Sequence, residues 1–314
     1  MYETHFGLTE KPFNLTPNPR FLFLSRTHQE ALAHLRYGLE NRTGFIAVTG
    51  EVGTGKTTIL RQLFSQLDES RFRLAMIFNP SLGVMELLRS VNREFGLPAR
   101  KRSNPGLVEE LNEFLLAENR AGRTPILVVD EAQNLEADVL EQIRLLSNLE
   151  TDSDKLIQII LVGQPELDAL LARPDLRQLA QRISVRCRLD PLDQQELCEY
   201  VRHRLQVSGV YGDLFDDQAL AAAYRWTGGV PRLINVLCDR ALLCAYAGQR
   251  HRVSLADVRQ AMAELGPARR LLPGLRSRLS RLREIFAAEK LSWYLGAATL
   301  LEVIILIWLV GTFL

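Results

Sequence analysis

The sequence predicts an α/β fold, with a parallel sheet covered by helices, then a smaller helical domain and a single transmembrane helix. Three observations carry this. Four short apolar runs, "GFIAVTG", "RLAMIFN", "PILVVDEA" and "LIQIILVGQ", alternate with the helical stretches "VMELLRSVNREFG", "LVEELNEFLLAENRAG" and "DVLEQIRLLSNLE", as in a sheet buried on both faces. Beyond about Asp190 the strand signals stop, and "DQQELCEYVRHRLQVSG", "DDQALAAAYRWTGG", "PRLINVLCDRALLCAYAGQ" and "SLADVRQAMAELG" read as successive helices. Residues 293–314, "WYLGAATLLEVIILIWLVGTFL", are almost wholly apolar.

At 314 residues and 47% hydrophobic composition the chain can bury a real core. Its net charge of +1 averages regions of different character and selects no partner. Cys187, Cys198, Cys238 and Cys244 form no CxxC pair and have no histidines at ligand spacing, so buried thiols are expected rather than a zinc or disulfide framework. "MYETHFGLTEKPFNL" lacks a basic start followed by an apolar run; no cleavable signal peptide is expected, and the soluble part should stay in the cytoplasm. The Pro- and Asn-punctuated "KPFNLTPNPRFLF" leads into a helix over Gln29 to Glu40. In the helical domain, Pro231 falls in a first turn, and Ser254-x-x-Asp257 has capping-box spacing.

Between the first strand and the helical "TTILRQLFSQL" lies "GEVGTGKT", the G-x-x-x-x-G-K-[ST] pattern in its required context. Gly50, Gly53 and Gly55 let the backbone curl so that its N–H groups face a polyphosphate beside a helix N-terminus. Lys56 can reach the β and γ oxygens, and the Thr57 hydroxyl can ligate Mg²⁺. "ILVVDE" ends a buried strand with Asp130 and Glu131, at the sheet edge where open α/β folds bind ligands. Asp130 can hold Mg²⁺ through water, and Glu131 can orient or deprotonate an attacking water.

Gln164 closes another core strand, where its amide could feel the γ-phosphate. "LRQLAQRISVRCRL" is read as an arginine-bearing helical segment with Arg177, Arg182, Arg186 and Arg188. Arg182, near the core boundary, is the favoured finger toward a neighbouring subunit's nucleotide. Arg232 sits in a first helical turn, poorly matched to the helix dipole, a placement better explained by a facing phosphate.

The ordered set "FGLTEKPFNLTPNPRFLFLS", "HQEALAHLRYGL", "TGEVGTGKTT", "VVDEAQNL", "LVGQPEL", "LAQRI" and "GGVPRLINVLCDRALL" resembles the AAA+ ATPases of the type II secretion A-protein family, over essentially residues 1–265. The resemblance implies a P-loop NTPase core at 44–190, an adenine-side segment at 1–43 and a helical lid at 191–266. It makes Gly50, Glu51, Val52, Gly53, Thr54, Gly55, Lys56, Thr57 and Thr58 the Walker A loop, and Asp130 and Glu131 Walker B. Gln164 takes the sensor-1 place, Arg232 the sensor-2 place, and Pro17 to Phe21 lie near the adenine. It also implies ATP hydrolysis with Mg²⁺ in homo-oligomers, rings or filaments, on the cytoplasmic side of a membrane, in envelope assembly or secretion. Longer relatives continue past one membrane helix into a periplasmic peptidoglycan-binding domain, whereas this sequence stops at Leu314, which puts direct cell-wall engagement in doubt.

As a helix, residues 293–314 would extend about 33 Å at about 1.5 Å per residue, enough for a hydrocarbon core of roughly 30 Å. Trp293 and Tyr294 stand at the interface, and the arginine-rich 267–290 precedes them. That segment reads either as an amphipathic helix on an anionic membrane surface or as a solvated linker. The basic flank sets a single-pass orientation in the bacterial inner membrane, with the soluble domain inside. Glu302 lies close to mid-span, where a charge costs several kcal/mol. It either faces a partner helix, from a second copy or an inner-membrane subunit, or is protonated and without a role. A reading of a different class is a DNA-dependent regulator of the transposition type, supported by the basic loop Arg100, Lys101 and Arg102.

Overall fold

Among the described residues five parallel strands form the sheet, in the order β2-β3-β4-β1-β5. They are β1 (Phe45–Gly50), β2 (Phe72–Ile77), β3 (Thr124–Val129), β4 (Gln158–Gly163) and β5 (Ile183–Leu189). The computed structural model describes residues 1–16, 18–78, 83–151 and 154–267. Strands β1, β3 and β4 are buried throughout, which explains why they read as unbroken apolar runs.

Alternation along the strands divides the core in two. Phe45, Ala47, Leu127, Val129, Ile159 and Leu161 point to one face, against α4 (Val84–Glu94), α5 (Asn104–Arg120) and α6 (Ala137–Leu146) through Leu88, Leu111 and Ile143. Ile46, Val48, Ile126, Val128, Ile160 and Val162 point to the other, against α2 (Arg26–Glu40) and α3 (Lys56–Ser65) through Leu35, Leu39, Ile59 and Leu60. Full burial of each Val, Leu, Ile or Phe side chain among them contributes about 1.5–3 kcal/mol.

The segment read as an arginine-bearing helix is corrected here. It divides at Arg182 into a short helix after α7 (Glu166–Leu171), α8 (Arg177–Arg182), and the fifth strand, β5. β5 is an edge strand in which Ile183, Cys187 and Leu189 are buried and Ser184, Arg186 and Arg188 exposed. Charged outward positions protect a sheet edge from further pairing. They also interrupt the apolar run by which the other strands are recognised.

Helices α9 (Gln194–Val207), α10 (Asp217–Thr227), α11 (Pro231–Ala247) and α12 (Leu255–Leu265) form a separate core around Leu197, Leu220, Leu237 and Val258. Pro231 opens α11 as expected, since its missing N–H costs nothing there. Asp257 accepts from the Ser254 N–H and hydroxyl at 2.9 and 2.7 Å.

The described residues among the first 23 join this helical core rather than the sheet. Helix α1 (Tyr2–Phe6) buries Tyr2 and Phe6 there, together with Leu8 and Phe13. The Thr9 N–H donates to the Ser208 carbonyl at 2.9 Å. Arg204, 6% exposed, donates through Nε to the Pro12 carbonyl and through its terminal nitrogens to the Tyr200 hydroxyl and the Asn14 carbonyl, with its guanidinium over the Phe21 ring. Beyond Ser25, α2 belongs to the α/β core. The N-terminal segment therefore spans both parts.

Among the described residues no helix is long and apolar enough to cross a membrane. The expected span at 291–314 with Glu302, and the basic segment 267–290 apart from residue 267, lie outside the described residues, as does Pro17.

Candidate active site

Strand order brings the chemistry together. β4 lies between β3 and β1, so the residue after β4, Gln164, stands between the loop that follows β1 and the acids that follow β3. The loop turns through Gly53 at φ 84 and Gly55 at φ 101 before α3 begins at Lys56. Both are left-handed conformations that disfavour a side chain.

Lys56 is 7% exposed and donates from Nζ to the Gly50 and Glu51 carbonyls at 2.8 and 3.1 Å. Burial pushes its pKa down, and the Glu131 and Asp130 carboxylates oppose that shift. The Thr57 hydroxyl donates to Asp130 Oδ2 at 3.3 Å, and Asp130 Oδ1 accepts the Glu131 N–H at 2.9 Å. Burial pushes the Asp130 carboxyl up, against bonds from Glu131 N–H and Thr57 and the Lys56 charge. These two hard oxygen donors beside a phosphate loop suit Mg²⁺, which takes few protein ligands and fills its other positions with water and phosphate oxygens. Among the described residues no group of three or more His, Cys, Asp or Glu side chains forms a cation cage.

Glu131 has a left-handed backbone, φ 54, unusual for a residue with a side chain. Its Oε2 accepts from Gln133 Nε2 at 2.6 Å and Gln164 Nε2 at 3.1 Å. Gln133 Oε1 accepts the Gln164 N–H at 3.1 Å. The carboxylate is thus aimed by two amides from neighbouring strand ends.

Val52 to Thr58, Glu131 and Arg232 line one cleft, while Gly50 lies beneath the loop at the end of β1. The Arg232 N–H donates to the Gly53 carbonyl at 3.3 Å, and a Cβ on Gly53 would lie 2.6 Å from Arg232 Cβ. Helix α11 therefore begins against the loop. Arg182 is not in this cleft. It precedes Ile183, which pairs with Phe45 at the opposite end of the sheet, and it donates to Ser147 Oγ at 2.8 Å. Arg100, Lys101 and Arg102 are exposed between α4 and α5.

Of the rest of the cleft, the family resemblance marked the segment ending at Phe21, which lines it, and nothing else. Phe21, Phe23, Tyr200, Arg204 and Asn235 line its far end, with the Tyr200 hydroxyl donating to Asn235 Oδ1 at 2.8 Å. His28 lines it too, 5% exposed, between Ser25 and Thr54. Burial lowers the His28 pKa, with the Thr54 carbonyl and the Glu196 carboxylate pulling the other way. The unfolded chain then binds this proton more tightly than the folded one. The stability His28 contributes is complete above about pH 6.5, its unfolded value, and is lost as pH falls below it. The urea midpoint is expected to drop between about pH 7.5 and about pH 5.5, and to drop less in His28→Gln.

An AAA domain family profile matches residues 39–171. General secretion pathway protein A of Aeromonas hydrophila is 49% identical over 270 residues, covering 86% of this chain and 49% of that protein. Over that shared region the chain is similar to a general secretion A-protein. It spans about half the length of that relative. Among solved structures, the chain is similar to the Aeropyrum pernix ORC2 protein in its ADPNP–ADP complexes, with a TM-score of 0.60, 21% identity and coverage of 81% of this chain and 71% of that one. It is also similar to Cdc6p from Pyrobaculum aerophilum, with a TM-score of 0.62, 22% identity and coverage of 81% and 70%. At such identities these likenesses establish the fold and nothing finer.

Proposed function

We propose that this domain hydrolyses ATP, and that its homo-oligomer, ring or filament, assembles or remodels a secretion or envelope complex from the cytoplasmic face of a bacterial inner membrane. The observation that carries the chemistry is the convergence of Lys56, Thr57, Asp130 and Glu131 at one sheet edge. In this reading the loop N–H groups and Lys56 hold the phosphates, and Thr57 and Asp130 would hold Mg²⁺. The cation would supply charge neutralisation on the β and γ oxygens. Glu131, aimed by Gln133 and Gln164, positions the attacking water and takes its proton, and Arg232 contacts the phosphates from α11.

Lys56→Ala is expected to weaken ADP and ATP binding about ten- to a hundredfold, the range for losing one charge-assisted contact. Titration calorimetry checks this, and unchanged affinity would remove the loop from the mechanism. Anchoring through 291–314 and contact with an inner-membrane subunit rest on the sequence pattern and on the secretion relative. Copurification from detergent extracts, with and without that segment, tests both.

The exposed Arg100, Lys101 and Arg102 favour a second reading, ATP-dependent DNA binding. A binding assay across a salt series decides it, with no binding at low salt excluding DNA.

A further inference from the structure

Both ring nitrogens of His28 are engaged. Nε2 lies 2.8 Å from the Thr54 carbonyl and Nδ1 lies 2.5 Å from Ser25 Oγ. A carbonyl only accepts, so Nε2 carries the hydrogen, and Nδ1 of the neutral ring accepts from the Ser25 hydroxyl. Ser25 in turn caps α2 by accepting the His28 N–H at 3.4 Å. The next residue, Arg26, donates its N–H to Glu196 Oε1 of α9 at 3.0 Å. Groups from the N-terminal segment, the phosphate loop and the helical core therefore meet around one imidazole.

The bond to Thr54 has a geometric consequence. In a trans peptide the C=O and N–H point in opposite directions. Holding the Thr54 carbonyl on the imidazole turns the Gly55 N–H away from the His28 ring. Gly55 allows this in two ways. Its φ of 101 is strained for any other residue, and a Cβ there would lie 2.9 Å from His28 Nε2.

We propose that His28 is a positioning residue of the phosphate loop: by holding the Thr54 carbonyl it fixes the Thr54–Gly55 peptide and aims the Gly55 N–H at the bound phosphate. This rests on the loop being a nucleotide cradle. The role belongs to a hydrogen-bond donor at the place of Nε2, not to the bulk of the ring. Glutamine can put an amide N–H there; leucine fills similar space without one.

The test compares ADP affinity by calorimetry for the full chain, His28→Gln, His28→Leu and Lys56→Ala, with circular dichroism confirming that each variant folds. His28→Gln should stay within about threefold of the parent, and His28→Leu should bind about ten- to a hundredfold more weakly. In ¹⁵N-histidine-labelled protein, His28 should show the neutral tautomer protonated at Nε2. Parent-like binding by His28→Leu, equal losses in Gln and Leu, or the opposite tautomer would each overturn the proposal. A parent chain that binds no ADP would overturn the nucleotide cradle and this inference together.

Discussion

Glu131→Gln is expected to lower ATP turnover by about two to four orders of magnitude, the contribution of a positioned general base, while Mg·ATP affinity should stay near that of the parent. Glutamine preserves the shape that Gln133 and Gln164 contact, and leaves Lys56, Thr57 and Asp130 in place. It cannot accept a proton from water. Phosphate release and nucleotide calorimetry on the same preparation separate the two effects. Unchanged turnover would make Glu131 idle and the domain a nucleotide-responsive scaffold. Loss of binding instead of turnover would assign Glu131 to holding the nucleotide.

As an arginine finger, Arg182 is expected on substitution by Ala to lower turnover about a thousandfold or more and to leave ADP affinity unaltered. Arg182 precedes the first residue of β5, and Gly50 pairs with the last, Leu189. At about 3.3 Å per residue, the strand separates it from its own loop by about 20 Å, beyond the reach of its side chain. In the proposed oligomer, Arg182 would act by supplying a neighbouring copy. Mixing Arg182→Ala with Lys56→Ala is therefore expected to restore part of the activity, because mixed contacts would pair an intact cradle with an intact arginine. Full activity in Arg182→Ala alone, or no recovery on mixing, would exclude this role.

The loop, the paired acids and four of the strands were legible because each is a local pattern: glycines at fixed spacing, or an apolar run ended by polar residues. β5 was hidden because an edge strand carries charge at alternate positions, and its arginines drew attention as side chains rather than as one face of a pleat. The alternation of Ile183, Val185, Cys187 and Leu189 was the available signal. Gln133 sat in plain view two residues beyond Glu131, but its partner Gln164 is close only because β4 lies beside β3. His28, Tyr200 and Arg204 left no local trace, since their partners Thr54, Asn235 and Pro12 are fixed by tertiary packing alone. The N-terminal segment showed where turns fall and not which core it would join.

That segment also constrains how the protein is made. The Tyr2 hydroxyl bonds to Asp239, 237 positions later, and Phe6 and Phe13 pack in the same distant core. On the ribosome the first aromatic residues emerge long before the helices that bury them, while the α/β part can already close around β1 and α3. Synthesis at about 5–20 residues per second leaves them uncovered for roughly ten seconds or longer. Nascent chains halted before α11 should therefore recruit chaperones at the N-terminus, and those released after α12 should not.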